Sequence, residues 1–263
     1  MREFATATHP ERQPQASGRM GRALVSRSYR KLEAADSIGD FLTIFADAVR
    51  AHHRTWEKYC VLHRNISTSS IMWYRDGGQV LGVLCDFDTD ASATANELHH
   101  NADVRPFMAM DLLRREEGDK AVPHLYRHEL EAFFYVFEYV CAVWNPNKKK
   151  FDHLYEWERG SLADIAVQKA RFLMEPEIHG KIFGKAHPAL AALVTSPSRH
   201  LLFYSHYRVF EHQHQLHIGI RHLRELGGAV CVDRSMLETG IFGACFTVPE
   251  MTYENFMYIL GAP

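Results

Sequence analysis

The stretch from His63 to Asp88, HRNISTSSIMWYRDGGQVLGVLCDFD, constrains the fold more than any other part of the chain. Ile71 to Arg75 and Val80 to Cys85 are short runs of β-branched, aromatic and aliphatic residues, and Asp76-Gly77-Gly78 between them is the chemistry of a tight turn. The pattern reads as loop, strand, turn, strand, loop. A hairpin brings its two outer ends side by side, so His63, Arg64, Asn65 and Ser70 on one end are placed beside Asp86, Phe87 and Asp88 on the other.

Helical periodicity surrounds this hairpin. Ile38, Phe41, Leu42, Phe45, Val49, His52, Trp56 and Tyr59 recur at helical spacing, with Ser37 as the cap and Asp40 three residues on. His128-Glu129-Leu130-Glu131 opens a run, Ala132 to Trp144, that is apolar nearly all round, so that helix must be buried. The most apolar stretch, Leu130 to Trp144, is interrupted by Glu131 and Glu138 and is too short to span a bilayer. Asn145-Pro146-Asn147 ends it, and Lys148 to Lys150 reads as a solvated basic turn. Further helices are expected over Ser161 to Met174, Pro188 to Leu193, Tyr204 to Leu226 and, at the end of the chain, near Thr252 to Gly261. Residues 1–30 are polar and aperiodic and read as a loose arm, followed by one folded unit over 31–263.

Composition narrows the function classes. With 263 residues, 46% of them hydrophobic, the chain can bury one substantial core. A formal net charge of -2 provides no electrostatic footprint for nucleic acid or an anionic membrane. The polar first twenty residues lack a signal-peptide core, and five cysteines without C-x-x-C spacing read as reduced, mostly buried thiols. An intracellular protein, cytoplasmic or nuclear, is expected. His206, His212, His214, His217 and His222 cluster in one stretch, but without a carboxylate or thiol ligand at matching spacing they read as solvated or core histidines rather than a zinc site. Asn65-Ile66-Ser67 matches a glycosylation acceptor only formally.

Both ends of the hairpin resemble the catalytic centre of protein kinases, in which an H-R-D-x-x-x-x-N loop precedes a hairpin and a D-F-G motif. The closer resemblance is to the fungal-type protein kinase family, whose wording runs roughly HRDISxxNIM and then GVLIDFD. The matching stretches are His63 to Ser67, Ile71-Met72 and Gly82 to Asp88. Arg105-Pro106-Phe107-Met108-Ala109-Met110-Asp111-Leu112-Leu113 resembles the family's PFMAxELL, with Asp111 where a glutamate pairs with a buried arginine. His128 to Cys141 resembles HDLESFFYVLLWIC, which implies that Glu129 holds the backbone of the catalytic loop. Trp157 and Lys169 to Leu173 look like the family's W…K…FL block, and the polar run from Thr89 to Asp103 stands where an activation segment belongs.

The resemblance implies a mainly α (α+β) fold, the helical C-terminal lobe of a protein-kinase-like domain with a small β-hairpin at its catalytic loop. Too few residues precede Ser37 for a five-stranded N-terminal lobe, so a lobe without that partner is expected. It also implies ATP and Mg²⁺ as cofactors, with Asp86 as the metal ligand, and an unidentified protein as substrate or partner.

Two positions depart from the family wording: Asn65 stands where the aspartate base belongs, and Ser70 where the metal-binding asparagine belongs. An amide cannot take up a proton, and losing a general base removes about 10² to 10⁴ in rate. Three readings follow: an impaired ATP-dependent Ser/Thr phosphotransferase, a non-catalytic pseudokinase lobe serving as a protein-interaction module, or a relic. Arg64 is either a partner for a phosphorylated loop residue or an ordinary surface arginine.

Overall fold

A computed structural model describes residues 28–87, 103–113, 124–194 and 252–260. Helix α1 (Ile38–Tyr59) begins where the Ser37 hydroxyl accepts the Asp40 amide at 3.0 Å. It ends at Cys60 in the left-handed conformation, φ +53°. Its buried stripe runs through Phe41, Ile44, Phe45, Ala48, Val49 and His52, the three- and four-residue spacing of one helix face.

Strands β2 (Ile71–Asp76) and β3 (Gln79–Leu84) form the expected antiparallel hairpin, with Asp76 opposite Gln79 and Ile71 opposite Leu84. That register leaves Gly77 and Gly78 as a two-residue turn, with φ +54° and +89°, the positive values a primed turn demands. A third strand, β1 (Arg30–Lys31), extends the sheet by pairing Arg30 with Trp73. Nothing in its two-residue sequence announces it. Trp73 secures it from the opposite strand, donating its indole N–H to the Lys31 carbonyl at 3.0 Å while the Arg30 guanidinium lies 4.0 Å from the ring centroid.

Helix α1 lies on β3. Gly82 sits so close that a Cβ there would fall 2.2 Å from the Ile44 carbonyl oxygen, and Asp47 Oδ2 accepts the Gly82 amide at 3.0 Å. The helix that delivers the chain to His63 is therefore pinned to the strand that delivers it to Asp86.

A short helix α2 (Met110–Leu113) follows a 3-10 turn at Arg105–Phe107. The expected buried helix is α3 (Tyr126–Val143), in which Leu130, Phe133, Phe134, Val136, Val140 and Cys141 are all fully buried. Phe45 of α1 meets Phe133 edge-on at 5.9 Å and Phe137 at 5.5 Å, so the two helices share one aromatic core. Strands β4 (Trp144–Asn145) and β5 (Lys150–Phe151) close a small hairpin directly after α3.

The basic turn is tethered rather than simply solvated. Lys149 Nζ lies 2.6 Å from Asp36, which also pairs with Arg30 and Arg75. Hydrogen bonds from Arg30, then Lys149, hold the Asp36 carboxyl well below the usual carboxylate range.

The remaining described elements are α4 (Tyr155–Glu158), α5 (Leu162–Met174), α6 (Pro176–Phe183), α7 (Pro188–Val194) and α8 (Tyr253–Ile259). Helices α5, α7 and α8 stand where periodicity places them, α5 with a capping box between Ser161 and Asp164. Helices α4 and α6 are not anticipated from the sequence: α4 is a single turn, and α6 spans eight residues, with Ile178, Ile182 and Phe183 packed on the core while only partly buried. Phe256 of α8 is fully buried and returns to the core beside Phe45. The fold is mainly helical with small antiparallel sheets, as expected.

Among the described cysteines none is bridged; Cys141 is buried, Cys85 half-buried and Cys60 exposed, and Cys231 and Cys245 lie outside the described residues. No helix among the described residues is long and apolar enough to cross a membrane. The N-terminal arm up to residue 27, the run Asp88 to Ala102 and the histidine-rich stretch around 204–226 lie outside the described residues.

Candidate functional site

The site is built around Glu129, one turn into α3 and only 1% exposed. Its Oε2 accepts the His63 amide at 2.7 Å, and both carboxylate oxygens accept the Arg64 amide, at 3.1 and 3.2 Å. His52 of α1 places Nε2 2.9 Å from Oε2, and His124 pairs with Oε1. Burial alone would raise this carboxyl, but the two histidines outweigh it and hold Glu129 below the usual range. A buried carboxylate thus grips the loop backbone, in the role that the family resemblance implies for it.

His63 ties this loop to the far strand. Its Nδ1 accepts the Asn65 amide at 3.2 Å, which leaves Nε2–H to donate to the Cys85 carbonyl at 2.7 Å. Burial pushes the His63 imidazole below its ordinary value, favouring this neutral form. Phe87 packs its ring 4.5 Å from the His63 ring. At the base of the hairpin the Cys85 amide donates to the Ser70 carbonyl at 2.8 Å. His63, Asn65, Cys85, Asp86 and Phe87 are therefore brought into one neighbourhood by bonds that run between the two loop ends.

Arg64 and Asp86 both adopt the left-handed conformation, with φ of +64° and +60°. Such conformations in residues other than glycine cost roughly 1–3 kcal/mol each and gather at functional sites. Here Glu129 and His63 supply the bonds that hold them, and the Asp86 side chain is left exposed at the hairpin end.

Ser70 is placed differently. It is 2% exposed, its Oγ accepts the Ser67 amide at 3.0 Å, and it donates to the Ser67 carbonyl at 3.1 Å. The hydroxyl is spent on closing the Ser67–Ser70 turn. For a bound magnesium nucleotide, the exposed Asp86 carboxylate fits the ligand position that the family resemblance implies, and the inward Ser70 hydroxyl does not.

Asp111 has its own partners. It pairs with Arg127 at 2.6 Å and faces His128 Nε2 at 3.5 Å. Burial opposes its ionisation, but His128 and Arg127 prevail and keep the carboxyl well below its usual range. Its arginine thus comes from the start of α3, only partly buried, where the resemblance implies a buried one. Asp88 lies outside the described residues.

Asp47 carries no sequence signal of its own, whereas His52, Glu131 and Lys169 enter the sequence reading only through helical periodicity, the apolar run and the W…K…FL block, with no polar partner assigned. His52 did carry a signal, since it falls on the apolar stripe of α1, where a buried histidine needs a polar partner. Among the described residues no group of His, Cys, Asp and Glu is arranged to hold a metal ion by itself.

A sequence model of the family described as fungal protein kinase matches residues 2–141. No curated protein and no solved structure matches the chain. The match spans α1, the hairpin, the Asp111 segment and most of α3, the parts that build the Glu129 grip and the paired loop ends; the chain belongs to the fungal protein kinase family.

Proposed function

We propose that this chain is a kinase-family lobe with impaired ATP-dependent phosphotransfer to protein hydroxyl groups. The observation that carries this reading is the double bracing of the loop ends: Glu129 holds the His63 and Arg64 amides, and His63 holds the Cys85 carbonyl next to Asp86. Residues at positions 65 and 86 are thereby fixed relative to each other, which is the positioning on which phosphoryl transfer chiefly depends.

Within that frame Asn65 orients an acceptor hydroxyl through its amide but takes no proton from it. Asp86 presents a carboxylate at the hairpin end, where a magnesium nucleotide would supply charge neutralisation on the transferred phosphate. Ser70 serves the turn and contributes no ligand in this reading. Impairment therefore falls on proton transfer and on the second metal ligand, while the bracing is retained.

The test compares the wild-type chain with Asn65→Asp and Asp86→Ala, by phosphate transfer to dephosphorylated casein and by melting with and without excess Mg·ATP. A restored base is expected to raise transfer by about 10²-fold or more, and Asp86→Ala to remove both transfer and any nucleotide-dependent rise in melting temperature. Equal, zero transfer in all three proteins with no rise in melting temperature refutes the proposal and favours a non-catalytic interaction module.

A further inference from the structure

Strand β3 is held from both of its edges. On the inner edge the Cys85 amide donates to the Ser70 carbonyl, and the ladder runs with Ile71 opposite Leu84 and Asp76 opposite Gln79. Amide directions alternate along an antiparallel strand, so the amides of residues 79, 81 and 83 turn toward β2 with that of Cys85, and those of 80, 82 and 84 turn to the outer edge. Helix α1 lies along that outer edge, and Asp47 Oδ2 accepts the outward Gly82 amide at 3.0 Å.

The ion pair that Asp47 makes with Arg50, at 3.1 Å, engages only Oδ1 and joins two partly exposed side chains of one helix. It accounts for a charge on the helix surface and not for a carboxylate turned onto the backbone of a strand. The approach is fitted to the two residues: a Cβ at position 82 would lie 2.9 Å from the Asp47 Cβ as well as 2.2 Å from the Ile44 carbonyl oxygen. Helix and strand therefore meet with no side chain at position 82 between them, and the acceptor that spans the gap must be short.

Asp47 also precedes His52 by five residues, roughly 7.5 Å along a helix. His52 Nε2 stands 2.9 Å from Glu129 Oε2, which accepts the His63 and Arg64 amides. One helix thus carries two grips, one through Glu129 on the loop that bears Asn65 and one directly on the strand that leads to Asp86. An extended strand stretches little, so fixing Gly82 along α1 fixes the end of β3, from which the chain turns at Asp86.

We propose that Asp47 is a positioning residue: by accepting the Gly82 amide it sets β3 along α1 and so sets where the Asp86 carboxylate stands for a magnesium nucleotide. The nucleotide part rests on the kinase reading above; the tether does not.

Hydrogen exchange measured by mass spectrometry on the full chain tests the tether in Asp47→Ala, Asp47→Asn and Arg50→Gln. Loss of a bond to a charged acceptor is expected to speed exchange in peptides covering 79–87 about tenfold in Asp47→Ala, with peptides covering 126–143 unchanged. Asp47→Asn keeps an accepting oxygen and should restore most of the protection, and Arg50→Gln should leave it intact. Faster exchange spread evenly over the chain, or none at 79–87, overturns the tether. Should Asp47→Ala fail to fold, Asp47→Glu decides: it keeps the charge but misplaces the oxygens by one methylene, and the same local loss of protection is expected.

The positioning role is read by calorimetric titration of Mg·ATP into the same proteins. The Kd is expected to rise about tenfold in Asp47→Ala, as the metal-binding carboxylate is displaced, and to stay close to that of the wild type in Arg50→Gln. In the Asn65→Asp background the KM for Mg·ATP should rise with it, while the KM for dephosphorylated casein stays unchanged. Wild-type affinity for Mg·ATP in an Asp47→Ala protein that has lost protection at 79–87 overturns positioning and leaves a structural tether. Absence of Mg·ATP binding by the wild-type chain overturns both positioning and the kinase reading, while the exchange pattern still judges the tether.

Discussion

Replacing Glu129 by glutamine keeps the side chain's shape and removes its charge, so it isolates what the buried carboxylate does. Oε2 faces the His63 and Arg64 amides and His52 Nε2; Oε1 faces the Arg64 amide and His124. An amide has one acceptor oxygen, so whichever way it turns its NH₂ meets a donor. Hydrogen bonds to a charged group contribute about 1.5–3 kcal/mol against about 0.5–1.5 for neutral ones, and a stranded buried donor costs about 1–3. Two weakened bonds and one orphaned donor therefore sum to roughly 3 kcal/mol. For a chain of this size that lowers the melting temperature by about 6–12 °C. Thermal melts followed by circular dichroism measure it, and exchange of the amides at 61–66 should accelerate most. A change below about 2 °C, or acceleration spread evenly over the chain, would refute the view that Glu129 holds the loop.

Gly82→Ala should be severe, because the added Cβ would meet backbone, the Ile44 carbonyl oxygen at 2.2 Å, rather than a side chain that can swing away. We expect a loss of about 3 kcal/mol or more, read by urea unfolding. Acid should destabilise the fold through His63 and His128, both fully buried, whose imidazoles burial pushes below the ordinary 6.5, His128 to about 4. Since the unfolded chain takes up these protons first, their contribution is complete above pH 6.5 and is lost as pH falls toward 4, by roughly 3 kcal/mol for His128. Glu131, raised by burial, runs the opposite way, so melts from pH 7.5 to 4.5 belong in the Glu131→Gln background, where His128→Gln should flatten the curve. The Asp36 network with Arg30, Arg75 and Lys149 is partly exposed, so Asp36→Asn should lower stability by no more than about 1 kcal/mol and lose even that in high salt.

Local chemistry was legible from the chain because its causes are local. Gly77-Gly78 sets a two-residue turn, Ser37 and Ser161 set caps, and the unbroken apolar run of α3 requires burial; each acts through residues within a few positions of itself. The family wording extended this to Glu129 and to the pairing of the loop ends.

What only the tertiary structure decided is where polar atoms find partners across long stretches of chain. Ser70 has the same side chain in any reading, yet a buried turn takes both its donor and its acceptor. Lys169 stands in the W…K…FL block, but only the packing of α5 against the Met108 segment shows that it is sealed from water. Arg30 and Lys31 become a strand because Trp73, some forty residues away, offers an edge and an indole donor. Residue types set how many hydrogen bonds a group needs; which atom supplies them depends on the few ways helices and a hairpin can pack without leaving one unmet.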